Sequence, residues 1–111
     1  MPIYITQGRY TREAIRGMIH RPEDRADAVG RLVSKAGGKL IGYYLTFGEY
    51  DFMVIVESPN DTQAAAVLLA AAAGAGVSDL RTTVAMTSVE AKGVFAAASD
   101  LAPGFKSAGG T

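Results

Sequence analysis

The sequence predicts an α+β domain of βαββαβ order: a four-stranded antiparallel sheet with both helices on one face. Three observations predict it. Gly42–Glu57 reads as two strands rich in aromatic and β-branched residues around the pair Gly48-Glu49. A helical pattern precedes this hairpin and another follows it. Alternating stretches open and close the series. Two split βαβ units joined by right-handed crossovers give that sheet.

Taken in order, Pro2–Gly8 is the first strand, with Ile3, Ile5 and Gln7 on one face and Tyr4 and Thr6 on the other. Arg9–Ile19 fits a short helical turn or an ordered loop. Arg21-Pro22-Glu23-Asp24 looks like a helix start with Pro at the first position. Val29, Leu32, Val33 and Ala36 then form an apolar helix face, and Gly37-Gly38 closes it as a left-handed cap. In the hairpin, Gly in first place suits a two-residue type II′ turn. The register that follows pairs Phe47 with Tyr50, Leu45 with Phe52, Tyr43 with Val54 and Ile41 with Val56. The opposite face carries Leu40, Gly42, Tyr44, Thr46, Asp51, Met53, Ile55 and Glu57. That face is half apolar, more so than a solvated face.

Ser58-Pro59-Asn60-Asp61 is a second helix start. Gln63–Ala75 is the helix, with eight alanines, ended by Gly74 and Gly76. Val77–Thr87 alternates as the last strand. Thr87 and Glu90 form a capping-box pattern before a short helix, Ser88–Leu101. Residues 1–95 are the expected domain and 96–111 a C-terminal extension. Ala102–Thr111 is small and polar, and expected to be disordered. The face of the sheet away from the helices is too apolar for a monomer, so a second copy is expected to cover it in a homo-oligomer, most simply a dimer.

The 111 residues suit one domain, and the formal net charge is zero. Charge therefore gives no argument for nucleic acid or membrane as a partner. Residues 1–40 nevertheless carry eight Lys/Arg against four Asp/Glu. A solvated basic helix face accounts for this more simply than an anion site. The absence of cysteine removes disulfides, thiol nucleophiles and thiolate metal sites. The start reads as a strand rather than a signal peptide, and Ala64–Val77 is too short and too Ala/Gly-rich to span a bilayer, so a cytoplasmic location is expected.

Phe47-Gly48-Glu49-Tyr50-Asp51 resembles the central motif of the GYD-domain family, with Gly48, Tyr50 and Asp51 in the matching places. Gly37-Gly38-Lys39 before it and Ser58-Pro59-Asn60-Asp61 after it fit as well, as do Pro2-Ile3-Tyr4-Ile5 and Arg81-Thr82-Thr83. The resemblance implies a ferredoxin-like fold of the dimeric α/β-barrel type. It implies no reaction, because the family's role is largely uncharacterised. Related barrels include cofactor-independent monooxygenases and isomerases, haem enzymes and ligand-sensing modules.

Asp51 has two readings. Its carboxylate fixes the hairpin by accepting backbone N–H bonds or pairing with an arginine. Alternatively, it stands on the barrel face beside Tyr44, Thr46 and Met53 as a polar anchor or base. His20, the only histidine, reads first as a surface or capping residue and second as an acid–base group or axial haem ligand. With no second His or Cys nearby, no metal site is expected, nor any cofactor. Tyr43 and Tyr44 read as packing residues. The candidate ligand residues are thus Tyr44, Thr46, Asp51, Met53 and His20, in a pocket on the barrel face. The expected function is small-ligand binding or an accessory role in an oligomer. The alternatives are a cofactor-independent enzyme of monooxygenase or isomerase type and a purely structural module.

Overall fold

The computed structural model describes residues 1–110; Thr111, the last residue of the segment expected to be disordered, lies outside them. Strand β1 is Ile3–Tyr10, followed by helices α1 (Arg12–His20) and α2 (Arg25–Lys35). The hairpin strands β2 (Lys39–Leu45) and β3 (Phe52–Glu57) come next, then α3 (Asp61–Ala73), β4 (Val77–Ala85) and α4 (Ser88–Leu101). The sheet runs β2-β3-β1-β4, antiparallel throughout, so the predicted architecture is present. No helix among the described residues is long and apolar enough to cross a membrane.

The undecided stretch after β1 is a helix because Thr11 caps it, its hydroxyl accepting from the Ala14 amide. Asp24, not Arg21, caps α2 by accepting from Ala26, which leaves Pro22 outside the helix. A carboxylate at the cap outweighs a pre-set Pro φ angle. Asn60 likewise caps α3 and receives the Gln63 amide at 2.9 Å, so the helix begins at Asp61. Ser58 is buried instead, its amide donating to Pro2 of the neighbouring chain end. Gly37 closes α2 at φ +83°, with the amides of Gly37 and Gly38 reaching back to Ser34 and Val33.

The hairpin keeps the expected register at Tyr43–Val54 and Leu45–Phe52. It departs at both ends. Near the turn the ladder stops at Leu45, and Phe47 and Tyr50 do not pair in the sheet. At the far end a bulge makes Leu40 the partner of Val56, in place of Ile41. The extra residue turns Leu40 under α2 and leaves Ile41 exposed.

Tyr4, Thr6 and Gly8 of β1, with Phe52 and Val54 of β3, are buried toward α1, α2 and α3. The other face is bare. Tyr44, Met53 and Gln7 lie side by side across it, next to the row Gly42, Ile55 and Ile5. The Tyr44 ring lies against Gly42, where a Cβ would come within 2.8 Å of it. Helix α4 buries none of its own residues and leaves the body of the domain, with Val89, Phe95 and Leu101 all exposed. The Cα radius of gyration is 18.1 Å, against the roughly 13 Å of a compact chain this long. A boundary at residue 95 falls inside this helix, which runs unbroken to Leu101 before a 3₁₀ turn at Ala102–Gly104.

Helix α3 ends at Ala73 with Gly74 as its C-cap, as expected. Gly74 is helical (φ −73°), and the left-handed position is Ala75 at φ +62°. Gly48 occupies its positive φ of +138° with open space around it. The two sites should respond oppositely. Ala75→Gly relieves a left-handed alanine and should raise stability by up to about 1 kcal/mol, whereas Gly48→Ala should lower it by about 1 kcal/mol or more. Chemical denaturation of both variants checks the pair of signs.

Candidate functional site

The turn that joins β2 to β3 grips the end of β1. The Asp51 amide donates to the Gly8 carbonyl at 2.8 Å, and the Asp51 carboxylate accepts the Tyr10 amide at 2.9 Å. This bond has a structural cause. The β1–β3 ladder ends at the pair Gly8–Phe52, so on that side the end of β1 needs a partner outside the regular ladder. Arg9 lies 5.0 Å from the Tyr50 ring centre and 3.1 Å from the Asp79 carboxylate. Thr46 fastens the turn from the other strand: its amide donates to the Asp51 carbonyl and its hydroxyl to the Tyr50 carbonyl.

Held in this way, Tyr10 points its ring inward against Phe52, with centroids 5.0 Å apart. Its hydroxyl meets that of Tyr43 at 2.5 Å, and Tyr43 in turn stacks on Phe52. The phenol pair stands over a cavity of about 760 Å³ between the sheet and helices α1, α2 and α3. Val29, Leu32, Val54, Leu68 and Leu80 supply much of its apolar wall. The Thr6 and Thr82 hydroxyls, 2.9 Å apart, lie on its floor. The cavity follows from the composition of α3. Of its thirteen residues only Ala64 is buried, and its alanines are too short to fill the space to the sheet. The Tyr4 hydroxyl, donated to Asp61 at 2.5 Å, fastens the start of α3 to β1.

His20, Arg21, Glu23 and Arg25 line the cavity where the chain passes from α1 to α2. Arg25 lies 3.6 Å from Glu23 in an exposed ion pair. Burial pushes the Tyr43 phenol well above its ordinary range. The hydrogen bond with Tyr10 adds to the rise, and the nearby Arg25 charge opposes it. The Tyr4 phenol is raised too, first through its hydrogen bond to Asp61. Among the described residues, no three His, Cys, Asp or Glu side chains gather as metal ligands would.

The sequence matches the family described as GYD domain over residues 4–94. The chain belongs to the GYD-domain family. No curated protein matches it. Solved structures share the fold at low identity. TTHA0845 from Thermus thermophilus is 17% identical with a TM-score of 0.51, over 79% of this chain and 96% of the other. MtbAldR is 12% identical with a TM-score of 0.53, over 78% of this chain and 52% of the other. An AsnC family transcriptional regulator from Agrobacterium tumefaciens is 15% identical with a TM-score of 0.52, over 79% of this chain and 52% of the other.

In this GYD-domain chain the candidate residues do not form one group. Tyr44 and Met53 are cross-strand neighbours on the bare face. Thr46 and Asp51 are engaged with backbone at the turn, the first of the two readings of Asp51. His20 lies at the cavity, on the opposite side of the sheet from Tyr44. The structure instead brings together Tyr10, Tyr43 and Arg25. In the sequence Tyr10 stands out only as an aromatic among arginines, and Tyr43 as packing. The signal available is a pair of polar-tipped aromatics at strand ends facing a helix too small to fill its side.

Two outcomes follow. Asp51→Ala should cost about 1.5–3 kcal/mol, because it strips a charged acceptor from the Tyr10 amide; thermal melts check this. A raised phenol contributes stability that is fully present below the unfolded pKa of 10.0 and lost as pH rises through the folded value. Stability should therefore fall as the pH passes above 10, and Tyr43→Phe should flatten that fall. Denaturation midpoints taken from neutral pH to about pH 11 read the sign.

Proposed function

We propose that this GYD-domain protein is a homodimeric binding protein for a small organic ligand. The observation that carries the reading is the 760 Å³ cavity beneath the Tyr10–Tyr43 pair. Its volume falls within the range of about 300–1,000 Å³ common to small-molecule sites, and its lining is apolar with a few convergent polar groups. An open hollow of that size is no packing defect of an ordinary core, whose voids are few and little larger than a water molecule. The ligand site thus moves from the barrel face, where the sequence put it, to the helix side of the same sheet. Tyr43, held neutral by burial, suits hydrogen bonding to a ligand better than proton abstraction, which supports binding over a cofactor-independent reaction.

The bare face is the contact for the second copy. Tyr44, Met53, Ile55 and Ile5 give it an apolar centre, and the neighbouring Arg81 and Gln7 give it a polar margin. Helix α4 belongs to the same contact. Val89, Phe95 and Leu101 are exposed by 81%, 76% and 74%, too much for a helix that stays in water.

Light scattering at micromolar concentration should give the mass of two chains. Deleting 102–111 should leave that mass and the melting temperature unchanged, whereas deleting 88–111 should release monomers. A full-length chain that scatters as a monomer would sink the dimer. For the cavity, native mass spectrometry of the purified protein should find a small molecule retained at one per chain. It should be lost in Leu68→Trp, which fills the space.

A further inference from the structure

The cavity is chemically lopsided, and its asymmetry names a class of ligand. The body is aliphatic, built from Val29, Leu32 and Leu68 against Val54 and Leu80. The Tyr10 and Tyr43 hydroxyls gather beside Arg25, and His20 and Arg21 line the same passage between α1 and α2. Glu23 is the one carboxylate there, and it lies 3.6 Å from Arg25. Arg21 makes no salt bridge among the described residues. Two guanidinium groups thus face one carboxylate at a passage whose other polar groups are hydroxyls and an imidazole. All of these can donate hydrogen bonds.

Resting on the binding reading above, we infer that the cavity takes an amphiphilic monocarboxylate. Its aliphatic body lies between α3 and the sheet, and its carboxylate sits at Arg25 and the Tyr10–Tyr43 pair. The chemistry is complementary. A chain buried among Leu and Val side chains is removed from water in proportion to its apolar area. A carboxylate at a guanidinium and the one free hydroxyl proton of the Tyr10–Tyr43 pair receives charge-assisted bonds in place of those an anion loses on leaving water. An ammonium head in the same place would face two arginines and find only Glu23. An uncharged alcohol would bury the same tail and forgo the charge-assisted bonds.

Calorimetric titration with decanoate, decanol and decyltrimethylammonium tests this. Decanoate is expected to bind at least about ten-fold more tightly than decanol, and the cation least. Arg25→Gln should weaken decanoate by about ten-fold and leave decanol unchanged, as loss of one charge-assisted bond would. Leu68→Trp should abolish both, with Ala71→Leu standing in if the tryptophan variant melts early. Equal binding of decanoate and decanol, with no effect of Arg25→Gln, would overturn the carboxylate inference and leave the cavity reading standing. Decanoate binding that survives both filling variants would place it elsewhere and overturn the inference. No binding of any of the three amphiphiles, with no small molecule retained on purification, would overturn the inference and the binding reading together.

Discussion

One bond organises this domain: the Asp51 carboxylate on the Tyr10 amide. The β1–β3 ladder stops at Gly8–Phe52, so the Tyr10 amide has no strand partner on that side, and a side chain from the hairpin turn supplies the missing acceptor. A backbone amide left unpaired in a partly buried place costs about as much as a lost hydrogen bond. The turn is built to deliver that carboxylate. Gly48 takes the positive φ, Thr46 ties Tyr50 and Asp51 across the loop, and Tyr50 lies under Arg9. The family motif is thus a clamp. Its consequence lies about one ring away, where the fixed Tyr10 presents its hydroxyl to Tyr43 above the cavity.

The cavity and the clamp stand in tension. A chain of 111 residues builds one modest core, and this one leaves much of the helix side unfilled. Among the described residues five hydrophobic ones are buried, and none of them is sealed completely from solvent. Rigidity at the cavity therefore comes from polar ties more than from packing: Tyr4 to Asp61 at the start of α3, Thr6 to Thr82 on the floor, and Tyr10 to Tyr43 above. These ties fix the sheet and the first turn of α3 but leave the rest of that helix lightly held. A helix of short side chains held at one end is the element best able to shift if the proposed ligand enters.

The architecture was legible in the sequence because strand and helix periods differ, and each element carried its own start and stop residues. Thr87 and Glu90 form the capping box that their spacing predicts. What misled was a competition between neighbouring signals. Pro22 and Asp24 both mark a helix start, and the side-chain acceptor prevailed. The bulge at Ile41 adds one residue to one strand, which no alternation pattern reveals because the pattern on either side is intact. The candidate site was harder to read. Period-2 alternation places Tyr43 and Tyr44 on opposite faces, but it does not say which face holds space. That depended on the volume of α3, written in its alanines and easily taken for close packing.

The two faces of the sheet therefore divide the work by the size of the side chains they meet. On the helix side, large strand residues such as Phe52 and Tyr43 meet small helix residues, and a space remains. On the bare side, Gly42 leaves room for the Tyr44 ring to lie close against the backbone, where no side chain of its own stands in the way. A bare apolar face favours contact over a large area, whereas a hollow favours enclosure of something small. In the proposed dimer the two are coupled through β1 and β3, because each strand sends alternate residues to both. Ile5 and Met53 would meet the second copy, while Thr6 and Phe52, their immediate neighbours in the chain, bound the cavity. Any shift in strand twist on association would pass directly to the cavity wall, since adjacent residues of one strand share a backbone.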